Sequence, residues 1–177
     1  MRKLFSALML PVCLALVISA AVAAQPGAAY PAAATNDAVV VSNSSDVPDA
    51  HLVHPAVYKI DGANWFRLRD VAMLLRGSAK QFAVDYDAAS KTVSITTGKS
   101  YTAIGSELTG AAAQNSSAVV SNDTLLVGGT PVTVRVFKID GANYFLLRDL
   151  GKALDFHVGY NGDTKTVFIS GAKGYAE

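Results

Sequence analysis

Apolar and polar positions divide the chain into three regimes. From Leu4 to Val22 the run is apolar apart from Ser6 and Ser19. From Ala24 to about Asp37 small residues and proline follow one another without any period, which predicts a flexible lead with no fold of its own. Beyond it the period switches between two and 3.6 in a fixed order. Val57–Ile60 and Trp65–Arg67 read as strands around Asp61-Gly62-Ala63-Asn64, a four-residue hairpin connection with an Asp-Gly signal. Leu68, Val71, Leu74 and Leu75 then fall on one helical face, with Asp70 in the first turn and Gly77 as a stop. Phe82–Tyr86 and Thr92–Thr96 alternate as strands about a turn at 87–91.

The same order occurs twice. Lys59-Ile60-Asp61-Gly62-Ala63-Asn64 returns 79 residues later as Lys138-Ile139-Asp140-Gly141-Ala142-Asn143. Phe66, Leu68, Arg69, Asp70 and Leu75 match Phe145, Leu147, Arg148, Asp149 and Leu154 at that offset, as Val40–Asn43 match Val119–Asn122. After the helix the offset falls to 74, where Phe82, Val84, Tyr86 and Lys91–Val93 match Phe156, Val158, Tyr160 and Lys165–Val167. A further strand is expected to open each copy, near 38–41 and 125–127. Each copy of about 60 residues is marginal alone, so the two are expected to share a core. The predicted class is α+β: two tandem β-β-α-β-β repeats, mainly antiparallel, with one short helix per repeat, packed as a pseudo-symmetric unit. The repeats are placed at 38–98 and 118–172, joined by a Gly/Ala/Ser-rich surface connector at 99–117 that Tyr101, Ile104 and Leu108 partly order, with a tail at 173–177.

Composition changes this picture at the N-terminus. Met1-Arg2-Lys3, the apolar run and Ala21-Val22-Ala23 together read as a secretory signal peptide, 1–23, cleaved after Ala23. Val12 is too large for a lipobox before Cys13, and a retained membrane anchor is the alternative. The 177-residue chain carries 15 Lys+Arg against 14 Asp+Glu, a net charge of +1. Loss of Arg2 and Lys3 leaves 13 bases against 14 acids, a net charge of −1, and Cys13 is the one cysteine. A near-neutral chain has no broad field to attract nucleic acid, and one without cysteine has no disulfide. Its stability must come from an ordinary core.

The repeated blocks Tyr58–Asp70, Lys80–Asp87 with Lys91–Val93, and Phe145–Asp149 with Val158-Gly159-Tyr160 and Lys165–Val167 carry a resemblance. They look like the copper amine oxidase N-terminal-like family, the stalk domains of exported Gram-positive bacterial proteins, over about Val39 to Gly171. That resemblance implies an accessory module of the cell envelope. It does not imply the oxidase chemistry, because no His-x-His occurs and Asn143-Tyr144 aligns with Asn64-Trp65 in the repeated hairpin.

Repetition also sorts the candidate sites. Asp61, Gly62, Asn64, Asp140, Gly141 and Asn143 occur in both copies and read as turn chemistry. Arg69-Asp70 and Arg148-Asp149 read as salt bridges at helix starts. Trp65, Arg67 and Tyr144 alternate with the core-facing Phe66, Leu68, Phe145 and Leu147, so they face outward or toward the other copy, where an exposed ring can stack on a sugar. His51 and His54, with Asp46 or Asp49, are metal candidates from a loop but not from a strand, where a spacing of three turns the rings to opposite faces. His157 reads as a strand-surface histidine. Asp85 and Asp87 read as a strand end and turn rather than a glycosidase pair. No nucleophile elbow, phosphate loop or zinc helix occurs.

The expected function is therefore a secreted or cell-wall-associated, non-catalytic stalk or accessory module that acts by binding or spacing. It needs no cofactor, no nucleic acid and, after cleavage, no membrane. Its expected partner is a cell-wall polymer or another envelope protein. The alternatives are carbohydrate or peptidoglycan binding through Trp65 and Tyr144, and copper or zinc handling through His51 and His54.

Overall fold

A computed structural model describes residues 27–44 and 49–176. The segment expected to be a signal peptide, its expected cleavage position, Cys13 and Asp46 lie outside the described residues. Fourteen strands and two short helices alternate along the rest: β1 (Ala29–Ala34), β2 (Ala38–Ser42), β3 (His51–Val53), β4 (Val57–Ile60), β5 (Ala63–Arg67), α1 (Leu68–Leu74), β6 (Phe82–Asp87), β7 (Thr92–Thr97), β8 (Ser116–Val120), β9 (Thr124–Val127), β10 (Thr130–Val132), β11 (Val136–Ile139), β12 (Ala142–Leu146), α2 (Leu147–Leu154), β13 (His157–Asn161) and β14 (Thr166–Ser170).

The expected α+β class of two tandem repeats is overturned. The protein is mostly β, and its centre is a closed antiparallel barrel in the order β1-β4-β5-β12-β11-β8. Three barrel strands come from each half of the sequence. The halves meet at β5–β12, where Phe66 lies opposite Phe145, and again at β1–β8, where Tyr30 lies opposite Ala118. Closure leaves these six strands without a free edge, which an open pair of hairpins would leave exposed.

Two four-stranded sheets flank the barrel, and each mixes the halves. β6 and β7 of the first half join β9 and β10 of the second; β13 and β14 of the second join β2 and β3 of the first. The junctions β7–β9 and β14–β2 are parallel. Tandem units that each keep their own strands are thus replaced by reciprocal exchange.

Two cores explain the pattern of burial. The barrel interior holds Ala32, Tyr58, Ile60, Trp65, Ala118, Phe137, Ile139 and Tyr144. Its rings meet edge to face, with Trp65 and Phe137 centroids 4.6 Å apart and Tyr58 and Tyr144 5.5 Å apart. The larger core lies outside the barrel, where Phe66 and Phe145 meet α1, α2 and the inner faces of both sheets. Strands between these cores are buried on both faces, so Val57, Tyr58 and Ile60 are all buried on one short strand. Each fully buried Phe or Leu contributes roughly 1.5–3 kcal/mol.

Several local expectations change. The segment at 29–34, expected to be part of a lead without fold, is barrel strand β1. Its alanines suit a barrel whose interior is already filled by large rings from other strands, and Ala32 is buried. The hairpin loops hold two residues rather than four, because Ile60 pairs with Ala63 and Ile139 with Ala142. Asp61 (φ 52°) and Gly62 (φ 76°) both take positive φ, as do Asp140 (48°) and Gly141 (80°). That is the primed turn whose twist suits the flanking strands. Val40–Val41 and Val119–Val120 are not equivalent, since the first pair sits in a flanking sheet and the second in the barrel. In the connector, Tyr101 is buried and Leu108 packs on the outer core, while Ile104 is exposed; residues 116 and 117 already belong to β8.

Candidate functional site

The exchange of strands creates two related clefts. In each, a repeated hairpin from one half faces the helix start and flanking strands of the other. The first cleft has a volume of about 250 Å3 and is lined by Lys59, Asn64, Arg148, Val158 and Tyr160 among others. The second, about 290 Å3, is lined by the counterparts Lys138, Asn143, Arg69, Val84 and Tyr86. Such volumes suit a small group rather than a large ligand.

A buried carboxylate organises each cleft. Asp37, in the turn between β1 and β2, receives Lys59 Nζ at 2.8 Å, Asn64 Nδ2 at 3.2 Å, Thr35 Oγ1 at 2.7 Å and the Tyr160 hydroxyl at 3.1 Å. Burial by itself raises the Asp37 pKa, but these four donors outweigh it and hold the group at about 2. Asp123 repeats the arrangement with Lys138 at 3.1 Å and Asn143 Nδ2 at 2.8 Å. Its burial is likewise outweighed by Asn143 and Lys138, and its pKa is lowered. The ammonium groups of Lys59 and Lys138 lie 5.9 Å and 5.7 Å from the ring centroids of Tyr160 and Tyr86. Tyr160 is 44% exposed and Tyr86 41%.

The clefts differ in what has already been paired. Around the second, Arg67 donates to Asp70 Oδ1 at 2.6 Å and to the Ser106 carbonyl, and Arg69 donates to the Tyr101 hydroxyl at 3.1 Å. Tyr101 in turn donates to Glu107, whose burial is outweighed by the Tyr101 and backbone donors, so that it titrates at about 2. The connector thereby covers that side, contributing Ile104 and Ser106 to the lining. In the first cleft Leu146 stands where the second has Arg67, and the exposed Arg148 makes no hydrogen bond or ion pair among the described residues.

The residues singled out in the sequence separate on this geometry. Trp65 and Tyr144 are 4% and 5% exposed inside the barrel, so neither offers a face for stacking. Burial raises the Tyr144 pKa to about 12. Asp70 is fully buried, but its partner is Arg67 rather than Arg69. Arg148 and Asp149 form no ion pair among the described residues. Asn64 and Asn143 bind the buried carboxylates as well as belonging to the hairpins. His51 lies on β3 with Nδ1 2.8 Å from the Asp49 carbonyl, and His54 follows the strand, both exposed. The Asp49 carboxylate accepts from Ser42 Oγ and the amides of Asn43 and Ser44, closing its own loop. Among the described residues no group of three or more His, Cys, Asp or Glu is placed to hold a metal. Asp87 closes its turn onto Ala89 and Ser90. His157 is half-buried on β13.

Asp37 and Asp123 escaped the sequence reading because they stand 86 residues apart, off the 79-residue register. Lys59, Lys138, Tyr86 and Tyr160 lay within the repeated blocks, and their repetition was the available signal. Compared with family models, curated proteins and solved structures, the chain has no match. No helix among the described residues is long and apolar enough to cross a membrane.

Proposed function

We propose that the chain is an exported, non-catalytic accessory module of the cell envelope that acts by binding, with a wall polymer as its partner. The observation that carries this reading is the pair of clefts, each with a lysine, an arginine and an exposed tyrosine supplied by repeated residues of opposite halves. Exposed rings beside cations and hydrogen-bonding groups suit saccharide rings, whose faces are apolar and whose rims are polar. Two such clefts on one rigid barrel would bind a repeating polymer with greater avidity than either alone. The N-terminal export pattern and the resemblance to stalk modules agree with this reading, and it moves the aromatic contact from Trp65 and Tyr144 to Tyr86 and Tyr160.

Retention on purified cell wall tests it. Wild-type protein should sediment with the wall, and the Tyr86→Ala, Tyr160→Ala double variant should lose at least tenfold in affinity. Equal retention of the two proteins, or no retention of either, would overturn the reading.

A further inference from the structure

The two clefts share one design, and this makes the difference in how their cations are paired informative. The cations around the second cleft are Arg67, Arg69 and Lys138; the carboxylates in the same network are Asp70, Glu107 and Asp123. Every one of those cations has a described partner. The first cleft has two cations, Lys59 and Arg148, and one carboxylate, Asp37, which is bonded to Lys59. Arg148 is left over among the described residues. Among the described residues the first cleft thus has an unpaired guanidinium, whereas every cation of its counterpart is paired.

Arginine's planar fork matches a carboxylate with two parallel hydrogen bonds, a fit that an ammonium group does not provide. The exposed Tyr160 ring lines the same cleft, and its hydroxyl is held by Asp37, which fixes its orientation. We infer that the cleft of Lys59, Arg148 and Tyr160 binds the carboxylate of an acidic saccharide, with Arg148 pairing the acid, while the second cleft, whose cations are already paired, does not discriminate for charge. This rests on the wall-binding reading and names the substrate class of one of its two sites.

The test separates the two ideas. The exported protein is titrated with N-acetylmuramic acid and with N-acetylglucosamine, which lacks the lactyl carboxylate, while backbone amide shifts are followed by NMR. The acidic sugar should bind at least tenfold more tightly, shifting amides at 59–64 and 147–149 more than those at 138–143 and 68–70. Arg148→Gln, an exposed substitution that leaves the core intact, should abolish the preference, and Arg69→Gln should preserve it. D-lactate alone, as an acid without a sugar ring, should bind more weakly than N-acetylmuramic acid. Equal affinity for the two sugars, equal shifts at both clefts, retention of the preference in Arg148→Gln, or D-lactate binding as tightly as the sugar acid would each overturn the inference. Wall retention is measured on the same Arg148→Gln protein, so sedimentation that persists without acid preference refutes this inference and leaves the broader reading standing.

Discussion

Replacing Asp37 by asparagine removes the charge on which three separate parts of the chain converge. The side chain keeps only 4% of its exposure, and it joins the β1–β2 turn to Lys59 and Asn64 of the first hairpin and to Tyr160 of β13. Its pKa stands at about 2 against an ordinary 3.8, because Lys59, Thr35, Asn64 and Tyr160 outweigh the opposing effect of burial. One pKa unit corresponds to about 1.4 kcal/mol, so the ionised form is favoured in the folded protein by roughly 2 kcal/mol. A depressed carboxylate stabilises the fold above its unfolded pKa and loses that contribution as pH falls through its folded value. The window is therefore from about pH 4 down to about pH 2. Lys59 retains 32% exposure and regains water when the charge is lost. The cost of Asp37→Asn at pH 7 is expected at about 2–3 kcal/mol, below the range for a fully buried pair. Urea unfolding of both proteins at a series of pH values measures it. The gap between wild type and variant should be largest at neutral pH and close progressively below pH 4. A gap under 1 kcal/mol at pH 7, or one that stays constant down to pH 2.5, would refute the reasoning.

Three further expectations concern packing and the connector. The single tryptophan lies inside the barrel, so its fluorescence should resist iodide quenching in the native state and become quenchable in urea; native quenching equal to that of a free tryptophan would contradict its placement. Gly171→Ala would drive a new Cβ into Ser78 Oγ and within 2.7 Å of Asn43 Oδ1, so it should lower stability by about 1–3 kcal/mol in thermal melts. Glu107→Gln removes the charged acceptor of the Tyr101 hydroxyl and of the amides of Ile104 and Gly105. Amide exchange at 104–108 should accelerate by about tenfold while the barrel strands stay protected, and uniform acceleration across the chain would show that the connector is not a separate unit.

Much of the local structure is written in short-range pattern. The alternation at Val57–Ile60, the Asp-Gly turns and the face made by Leu68, Val71 and Leu74 are determined by neighbours within a few residues. Their recurrence marked the positions that line both clefts, because a residue needed by a fold used twice appears twice. Which strand pairs with which was decided by tertiary contact. A hairpin can pair at either outer edge, and nothing local distinguishes β5 meeting β12 from β5 meeting a strand of its own half. The barrel was hidden for the same reason: Ala32 and Ala118 are small because distant rings fill the space before them, so β1 looked like featureless linker. Trp65 shows the limit from the other side. Alternation placed it opposite Phe66 across the strand but could not show that both faces were covered. Closure of the sheet buried it and left Tyr86 and Tyr160 as the exposed rings of the two clefts. The sequence determined the repeated units and their polar anchors. Only the exchange of strands between halves decided that Lys59 and Arg148, 89 positions apart, line one cleft, because pairing partners are selected by the area that closure buries rather than by proximity along the chain.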